Sequence, residues 1–275
     1  MVGKMQRQWY GLSYSGTRHM SRTLWIYGDS FAVDWRVDWG WQRQVSALMD
    51  VDRVVNQACA GASNEWSAMQ FRDDKQQPGD IVIFFATEMS RQWFFEDRPH
   101  LSNLASITDT PDAKALEKSE PEKYRAIMDY WLHLQRNDID QLRMEHMIDS
   151  IRVKQIENEL HLLLIPSFNI SMMWTDLIPV VGNMTFSVCD REFTSEQEML
   201  LWYNQSIDTR ANHMTLENHS VLARKIVRSL DERAPLDLEQ GFATGFLTHR
   251  DKLTHPGLLP ELIEMARKPG NTIPK

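Results

Sequence analysis

The sequence predicts an α/β fold in which helices flank a central parallel sheet. Two observations lead to this prediction. Short apolar runs rich in β-branched and aromatic residues recur along the chain, and helix-compatible stretches separate them. Strands that alternate with helices pair in parallel, because each helix carries the chain back along the sheet before the next strand begins.

The predicted strands are Thr23–Tyr27, Arg53–Asn56, Asp80–Ala86 and Leu160–Ser167, each followed by loop-forming residues. Helices are predicted at Trp39–Met49, at Asn64–Asp73 with Ser63 or Asn64 as its N-cap, and at Glu217–Leu230. Apolar residues recur at helical spacing in the last helix and are expected to face inward: Val221, Leu222, Ile226, Val227 and Leu230.

A helical insertion is expected between the third and fourth strands, at about residues 96–158. Glu96–Ser119 is polar and interrupted by prolines, whereas Pro121–Glu159 is strongly helical and is predicted to lie over the sheet edge. One apolar stripe in it is expected to pack on the core, formed by Ile139, Leu142, Ile148, Ile151 and Ile156.

One main domain is expected over residues 23–232, with an N-terminal extension at 1–22 and a C-terminal extension at 233–275. The C-terminal extension contains several prolines and a predicted short helix at Leu258–Arg267. A chain of 275 residues can bury one large core without disulfides or metal.

Composition and charge argue against several classes of partner. The chain is 42% hydrophobic and 25% charged, as ordinary globular proteins are. Its formal net charge of -8 disfavours nucleic acid and anionic membrane surfaces, which attract clustered Lys and Arg. Cys59 and Cys189 lie far apart and outside any CxxC or His/Cys cluster, so both are expected to be buried thiols. No metal or organic cofactor is expected, and phosphate-binding glycine motifs are absent.

No signal peptide or transmembrane segment is predicted. The N-terminal residues lack an apolar core of signal-peptide length, and Ile81–Ala86 is too short to span a bilayer. A cytoplasmic location, or release by lysis, is therefore expected. Trp35, Trp39 and Trp41 are expected to pack a helix onto the sheet, with a ligand platform as the alternative.

Ser30 is the candidate nucleophile, because it follows the first strand in the sequence Gly28-Asp29-Ser30. Gly28 permits a tight turn that presents the hydroxyl at the carboxyl edge of the sheet, where open α/β sheets keep their sites. Asp29 is expected to bond the turn backbone rather than to perform chemistry.

Three later segments are predicted to meet Ser30 at that edge. Asn56–Trp66 carries Gly61 in a loop of small residues, Phe84–Trp93 is a polar loop after the third strand, and His213 directly precedes the last core helix.

With these segments, the chain resembles the SGNH or GDSL hydrolase family over about residues 23–230. The resemblance implies a three-layer αβα, flavodoxin-like sandwich with a central parallel sheet. It implies that Ser30 attacks an ester carbonyl, that His213 is the general base, and that the amides of Ser30 and Gly61 form an oxyanion hole. Some similar proteins are encoded by bacteriophages, which extends the expected location to virion-associated.

Two positions depart from the family pattern. Glu88 stands where the family has an asparagine donor, and a carboxylate only accepts hydrogen bonds. Thr87, Ser90 or Arg91 are the candidate replacements, and Arg91 combines donors with compensating charge, although an anchoring ion pair is the equally weighted alternative.

The second departure is Arg210, at the position where the family places an acid. Asp208 lies five residues before His213 and is the candidate acid of the triad. His219 is the alternative base, although packing along the last helix is the favoured interpretation. His249 and His255 are expected to be exposed, because their spacing suits no common metal site.

Two functions follow from this resemblance. The first is a serine esterase that hydrolyses a small acetyl-like ester on a carbohydrate or similar alcohol. The second, which Glu88, Arg210 and the extensions motivate, is an inactive SGNH-like binding or structural module that forms a homo-oligomer or a virion or tail assembly. An oligomeric state other than monomer would favour the second function.

Overall fold

Parallel strands form the centre of the protein, as the computed structural model describes it. The described residues are 22–33, 40–93, 111–168, 177–184, 214, 216–242 and 271–273. Their strands are β1 (Thr23–Tyr27), β2 (Arg53–Asn56), β3 (Ile81–Ala86), β4 (His161–Pro166), β5 (Val180–Val181), β6 (Leu236–Asp237) and β7 (Asn271–Ile273). Their helices are α1 (Trp41–Leu48), α2 (Asn64–Asp73), α3 (Pro111–Ser119), α4 (Pro121–Asp129), α5 (Asn137–Glu157) and α6 (Leu216–Glu232), with a π-helical segment at Tyr130–Leu134.

The main sheet has the strand order β4-β3-β1-β2-β7. β1 pairs in parallel with β2 and β3, and β3 pairs in parallel with β4. β7 is antiparallel to β2, while β5 and β6 form a separate parallel pair. The predicted α/β fold with a central parallel sheet is confirmed, and the predicted and observed bounds of the parallel strands differ by at most one residue at either end.

Helices cover both faces of the sheet, because alternate strand residues point to opposite sides. On one side Leu24 and Ile26 belong to a core cluster with Trp41 of α1 and Leu222 of α6. On the other side Trp25 and Tyr27 belong to a cluster that α2 and α5 complete. The arrangement is a three-layer αβα sandwich. Trp41 is fully buried with its ring 5.4 Å from that of Phe85, which confirms the packing interpretation for this tryptophan; Trp35 and Trp39 lie outside the described residues.

Asp80 precedes β3 rather than starting it. Its carboxylate accepts hydrogen bonds from the amides of Thr23 and Gln77 and from the indole Nε1 of Trp25, at 2.8–2.9 Å. The buried carboxylate therefore ties the start of β1 to the turn before β3.

The predicted apolar stripe of the insertion is only partly right. Ile148 and Ile151 are buried, but Ile139, Leu142 and Ile156 are 37%, 47% and 66% exposed. Residues 140, 144, 148 and 151 follow the helical period more closely, and the buried residues Asp140 and Met144 complete the inward face of α5. This helix packs on α2 and on one face of the sheet instead of lying over the sheet edge.

The regions expected to be appendages also contain regular structure. The last part of Glu96–Ser119 forms α3. Pro111 is the first residue of this helix, a position at which proline is well tolerated. Leu236 and Leu238, in the predicted C-terminal extension, belong to the main core cluster, and β7 joins the sheet. Residues 1–21 and the predicted helix at Leu258–Arg267 lie outside the described residues. Among the described helices, none combines the length and the apolar character that crossing a membrane requires.

Candidate functional site

The turn after β1 is built around Gly28. This residue has φ of +133°, a conformation that L side chains rarely adopt. A Cβ at this position would lie 2.6 Å from Phe85 Cβ and 2.8 Å from the Phe85 carbonyl oxygen. Glycine therefore lets the chain turn while it passes close to the backbone of β3.

Ser30 follows this turn at the carboxyl edge of the sheet, as predicted. Its side chain is half-buried, and its hydroxyl has no hydrogen-bond partner among the residues that the structure describes. The Ala32 amide donates to the Asp29 carbonyl oxygen at 3.0 Å and closes the turn around Ser30. The hydroxyl is thus held on a tight turn and is partly accessible to solvent.

Asp29 is fully buried and holds this turn in place. Its Oδ1 accepts hydrogen bonds from the Phe31 amide and from the Ser167 hydroxyl, both at 3.1 Å. Its Oδ2 lies 3.4 Å from Arg91 Nη1. The expectation that Asp29 bonds the turn backbone is confirmed, and its carboxylate also connects the turn to the loops after β3 and β4.

Arg91 lies between two carboxylates. Its Nη1 faces Asp29, and its Nη2 lies 3.5 Å from Glu88 Oε1. The guanidinium carbon lies 4.9 Å from the centre of the Phe168 ring, and the side chain is 11% exposed. Arg91 Nε is buried without a hydrogen-bond partner in the described part of the chain. The two ion pairs agree with the alternative in which Arg91 forms an anchoring ion pair. The role of Arg91 as an oxyanion donor stays a prediction.

The other residues after β3 are occupied in different ways. The hydroxyl of Ser90 donates to Glu88 Oε2 at 3.4 Å. The amide of Thr87 donates to Asn64 Oδ1, and Asn64 Nδ2 donates to the Thr87 carbonyl, at 2.8 and 3.0 Å. Thr87 Oγ1 is buried and has no partner within the described ranges. The reciprocal bonds with Asn64 fix the end of β3 against the start of α2.

The loop that carries Gly61 lies beside the Ser30 turn. The Cys59 amide donates to the Gly28 carbonyl oxygen at 3.0 Å, and the Ala62 amide donates to the Cys59 carbonyl at the same distance. Gly61 has φ of +77°, which explains the glycine there. The structure thus brings the loops of Ser30, Gly61 and Arg91 to one edge of the sheet. Cys59 is a buried free thiol as predicted, while Cys189 lies outside the described residues.

His219 has a structural position in α6. It is 5% exposed, and its Nδ1 accepts a hydrogen bond from the Trp41 amide at 3.2 Å. This contact caps the first amide of α1, whose N-cap residue Gly40 has no side chain to do so. The favoured packing interpretation of His219 is confirmed. His213, Asp208 and Arg210 lie outside the described residues, as do His249 and His255, so their roles stay predictions.

Four polar or aromatic residues of this edge were not singled out from the sequence as site residues. Ser167 and Phe168 follow β4, Asn64 starts α2, and Asn56 ends β2 with its Nδ2 donating to the Ala32 carbonyl at 2.7 Å. Their position at the end of a predicted strand, directly after one, or at a predicted helix start was the available signal. Their partners lie far away in sequence and were not predictable from local pattern.

A second polar cluster lies where α2 meets α5. Asp140 is buried and accepts hydrogen bonds from Gln92 Nε2 and Gln135 Nε2, while Arg143 Nη1 donates to Asp140 Oδ1 at 3.3 Å. Burial raises the pKa of the neighbouring Glu65 carboxyl, partly offset by hydrogen bonds and by the Arg143 charge. Within the described ranges, no group of three or more His, Cys, Asp or Glu side chains is placed to hold a metal ion.

Comparison with known proteins gives little further information. No family model and no curated protein matches the sequence. The crystal structure of an acetyl xylan esterase, AlAXEase, aligns over 89% of this chain and 96% of that chain, with 11% identity and a TM-score of 0.34. Similarity at this level establishes neither a shared family nor a shared substrate.

Proposed function

We propose that the protein is a serine ester hydrolase of the SGNH type, with Ser30 as nucleophile and His213 as general base. The observation that carries this proposal is the turn at Ser30. A glycine at which a Cβ would clash with Phe85 presents the half-buried Ser30 at the carboxyl edge of a parallel sheet. That hydroxyl has no hydrogen-bond partner among the described residues, as suits a group that must engage a base and a substrate.

The proposed reaction proceeds through an acyl-enzyme. His213 removes the proton from Ser30 Oγ as the oxygen attacks the ester carbonyl carbon, and the carbonyl oxygen becomes an oxyanion. The tetrahedral intermediate then expels the alcohol, which takes the proton from His213. Water repeats the sequence on the acyl-enzyme, releases the acid and restores the Ser30 hydroxyl. Asp208 is the proposed partner that orients His213.

The proposed oxyanion hole uses the amides of Ser30 and Gly61, and the sequence also predicts Arg91 as a donor. The short distance between the Gly28 carbonyl and the Cys59 amide supports the juxtaposition of the two amide-bearing loops. Removing one such donor typically costs a factor of about 100 to 1,000 in turnover.

The proposed substrate is a small acetyl-like ester, with an acetylated carbohydrate as the first class to test.

Met214, the neighbour of His213, is buried in the same core cluster as Phe31, the neighbour of Ser30. This shared cluster supports, at the level of neighbouring residues, the pairing of the proposed base with the proposed nucleophile.

The direct test combines a fluorophosphonate probe with hydrolysis of p-nitrophenyl acetate. We expect the wild-type protein to be labelled on Ser30 and to turn over the ester, and Ser30→Ala to do neither. A folded wild-type protein that is neither labelled nor active on acetyl esters, including acetylated oligosaccharides, would reject the proposal.

A matched pair of histidine variants identifies the base. We expect His213→Ala to lose turnover by about 1,000-fold or more, since the triad acts as a unit. His219→Gln keeps an acceptor for the Trp41 amide and is expected to retain activity. The opposite ranking would assign the base to His219.

The second candidate function, an inactive SGNH-like binding module, is favoured by one observation. Arg91, the predicted side-chain donor to the oxyanion, is already paired with the carboxylates of Asp29 and Glu88. A homo-oligomer or virion-associated assembly without Ser30 labelling is the outcome that this function predicts, and light scattering coupled to size exclusion measures the assembly.

A further inference from the structure

The loops after β1, β3 and β4 are joined by a closed ring of contacts that includes both sequence neighbours of Ser30. Asp29 lies directly before the serine and Phe31 directly after it. The Phe31 amide donates to Asp29 Oδ1, Asp29 Oδ2 pairs with Arg91, the Arg91 guanidinium lies over Phe168, and the Phe168 ring is 5.8 Å from that of Phe31. The four side chains Asp29, Phe31, Arg91 and Phe168 are called the clamp below.

Burial makes the ion pair of the clamp consequential. The Asp29 side chain is fully buried and that of Arg91 is 11% exposed, so solvent screens their charges little. The Ser167 hydroxyl, after β4, donates to the same Asp29 carboxylate. Removing Arg91 would leave Asp29 as a buried carboxylate with only two neutral donors, and the turn that it fixes would then relax toward solvent.

The orientation of Arg91 argues for positioning rather than for contact with substrate. Nη1 and Nη2 both face carboxylates, and one face of the guanidinium is covered by Phe168. The remaining donor of the guanidinium, Arg91 Nε, is buried from solvent, so a substrate oxygen does not reach it in this conformation.

We infer that Arg91 is a positioning residue: through the clamp it holds Ser30 in its reactive geometry, and it does not itself donate to the oxyanion. This inference rests on the proposed function of Ser30. It gives Glu88 a role as well, because its carboxylate holds the second arm of the guanidinium at 3.5 Å. Glu88, at the position where the SGNH family has its asparagine donor, then helps to hold the turn that carries Ser30.

A double-mutant cycle separates the two roles of Arg91. The proteins are wild type, Arg91→Met, Asp29→Asn and the double variant, and the readout is the rate of fluorophosphonate labelling of Ser30. We expect each single change to slow labelling by about 100-fold, as displacement of a reacting group by about 1 Å does. The double variant is expected to be no slower than the slower single variant, because both changes break the same contact.

A direct oxyanion donor predicts a different result. In that case Arg91→Met slows labelling by the same factor in the Asp29→Asn background as in the wild type, and this multiplicative outcome would overturn the inference. Steady-state hydrolysis supplies a second readout: a role in the chemical step, whether positioning or donation, lowers kcat and leaves KM unchanged, whereas a general structural effect of Arg91→Met is not confined to kcat. If Arg91→Met does not fold, Arg91→Lys takes its place in the cycle. Lysine keeps the positive charge but lacks the planar guanidinium, so this variant is expected to have activity between that of wild type and zero.

The control and the unfolding measurement keep the outcomes distinct. Arg228→Met breaks the exposed pair with Glu232 on α6 and is expected to leave the labelling rate unchanged. Absence of Ser30 labelling in the wild type would reject the proposed function. The clamp would then be judged from the free energies of unfolding of the same four proteins, where additive effects of Asp29 and Arg91 would overturn it.

Discussion

At the scale of single residues, the geometry of the candidate site depends on the two residues that precede Ser30. Gly28 has a backbone conformation that L side chains rarely adopt, and it lies so close to Phe85 that a Cβ would clash with it. Asp29 connects that turn to two other loops, because its carboxylate accepts hydrogen bonds from the Phe31 amide and the Ser167 hydroxyl and pairs with Arg91. The sequence Gly-Asp-Ser therefore combines one residue for shape, one for anchoring and one for the proposed chemistry.

Gly28→Ala is expected to destabilise the protein by more than about 2 kcal/mol, because backbone strain adds to a clash with the Phe85 backbone. Gly79→Ala is the matched control. Its φ is also positive, at +86°, but a Cβ there meets nothing within 4 Å, so it is expected to cost only about 1–2 kcal/mol. Urea denaturation measures both variants, and equal losses would show that the contact with β3 is unimportant.

At the scale of elements, α2 is fixed at both ends, by its own N-cap residue and by contacts from other segments. Ser63 caps its N-terminus by accepting from the Trp66 amide, and Asn64 bonds Thr87. At its C-terminus Lys154 of α5 donates to the carbonyls of Phe71, Arg72 and Asp74 at 2.6–2.9 Å. These contacts align the helix that follows the Gly61 loop, so the position of that loop depends on α5 as well as on α2 itself.

Glu65, in the first turn of α2, gives this element a pH dependence. Burial raises the pKa of its carboxyl. Between the ordinary and the raised pKa, the folded state binds more protons than the unfolded state, so stability falls as pH rises through that interval. Glu65→Gln is expected to lack this fall, and its stability relative to wild type should be higher at about pH 8 than at about pH 4.

Urea denaturation at the two pH values tests the Glu65 prediction. Glu117→Gln, which changes an exposed glutamate of α3, serves as the control and should show no such difference. A stability difference between Glu65→Gln and wild type that does not vary with pH would contradict the role assigned to burial.

At the scale of the whole molecule, the chain returns from its C-terminal region to complete the sheet. β7 pairs with β2 through Val54–Ile273, Val55–Thr272 and Asn56–Asn271. An uncovered β2 would be an edge strand directly before the Gly61 loop, and exposed edges invite pairing with other chains. The last residues therefore support an element that leads into the candidate site.

Thr272→Pro is expected to weaken this pairing, since proline cannot donate to a strand ladder and disfavours the interior of a sheet. Faster hydrogen exchange is the expected result for those amides of Val54, Val55 and Asn56 that face β7 rather than β1. Thr272→Val keeps a β-branched residue and should leave exchange unchanged. Unaltered β2 exchange in the proline variant would show that β7 contributes nothing to this edge.

Much of the fold was predictable because it depends on local pattern. The parallel strands, α2 and the turn at Ser30 each follow from residues within a few positions of one another, such as the apolar run of β3 or the Gly28-Asp29-Ser30 sequence. The inward face of α5 was predicted only in part. Polar Asp140 lies on that face because Gln92 and Gln135 satisfy its carboxylate, and hydrophobicity alone cannot indicate such partners.

Local residue patterns predict that strands alternate with helices and that a serine follows the first strand on a glycine turn. The surroundings of that serine, in contrast, depend on long-range contacts. Arg91 is 62 positions from Asp29, Ser167 is 138 positions from it, and β7 pairs with a strand more than 200 positions earlier. Such contacts form when the sheet brings distant loops to one edge, and their specificity comes from burial and charge compensation, which residue order does not encode locally.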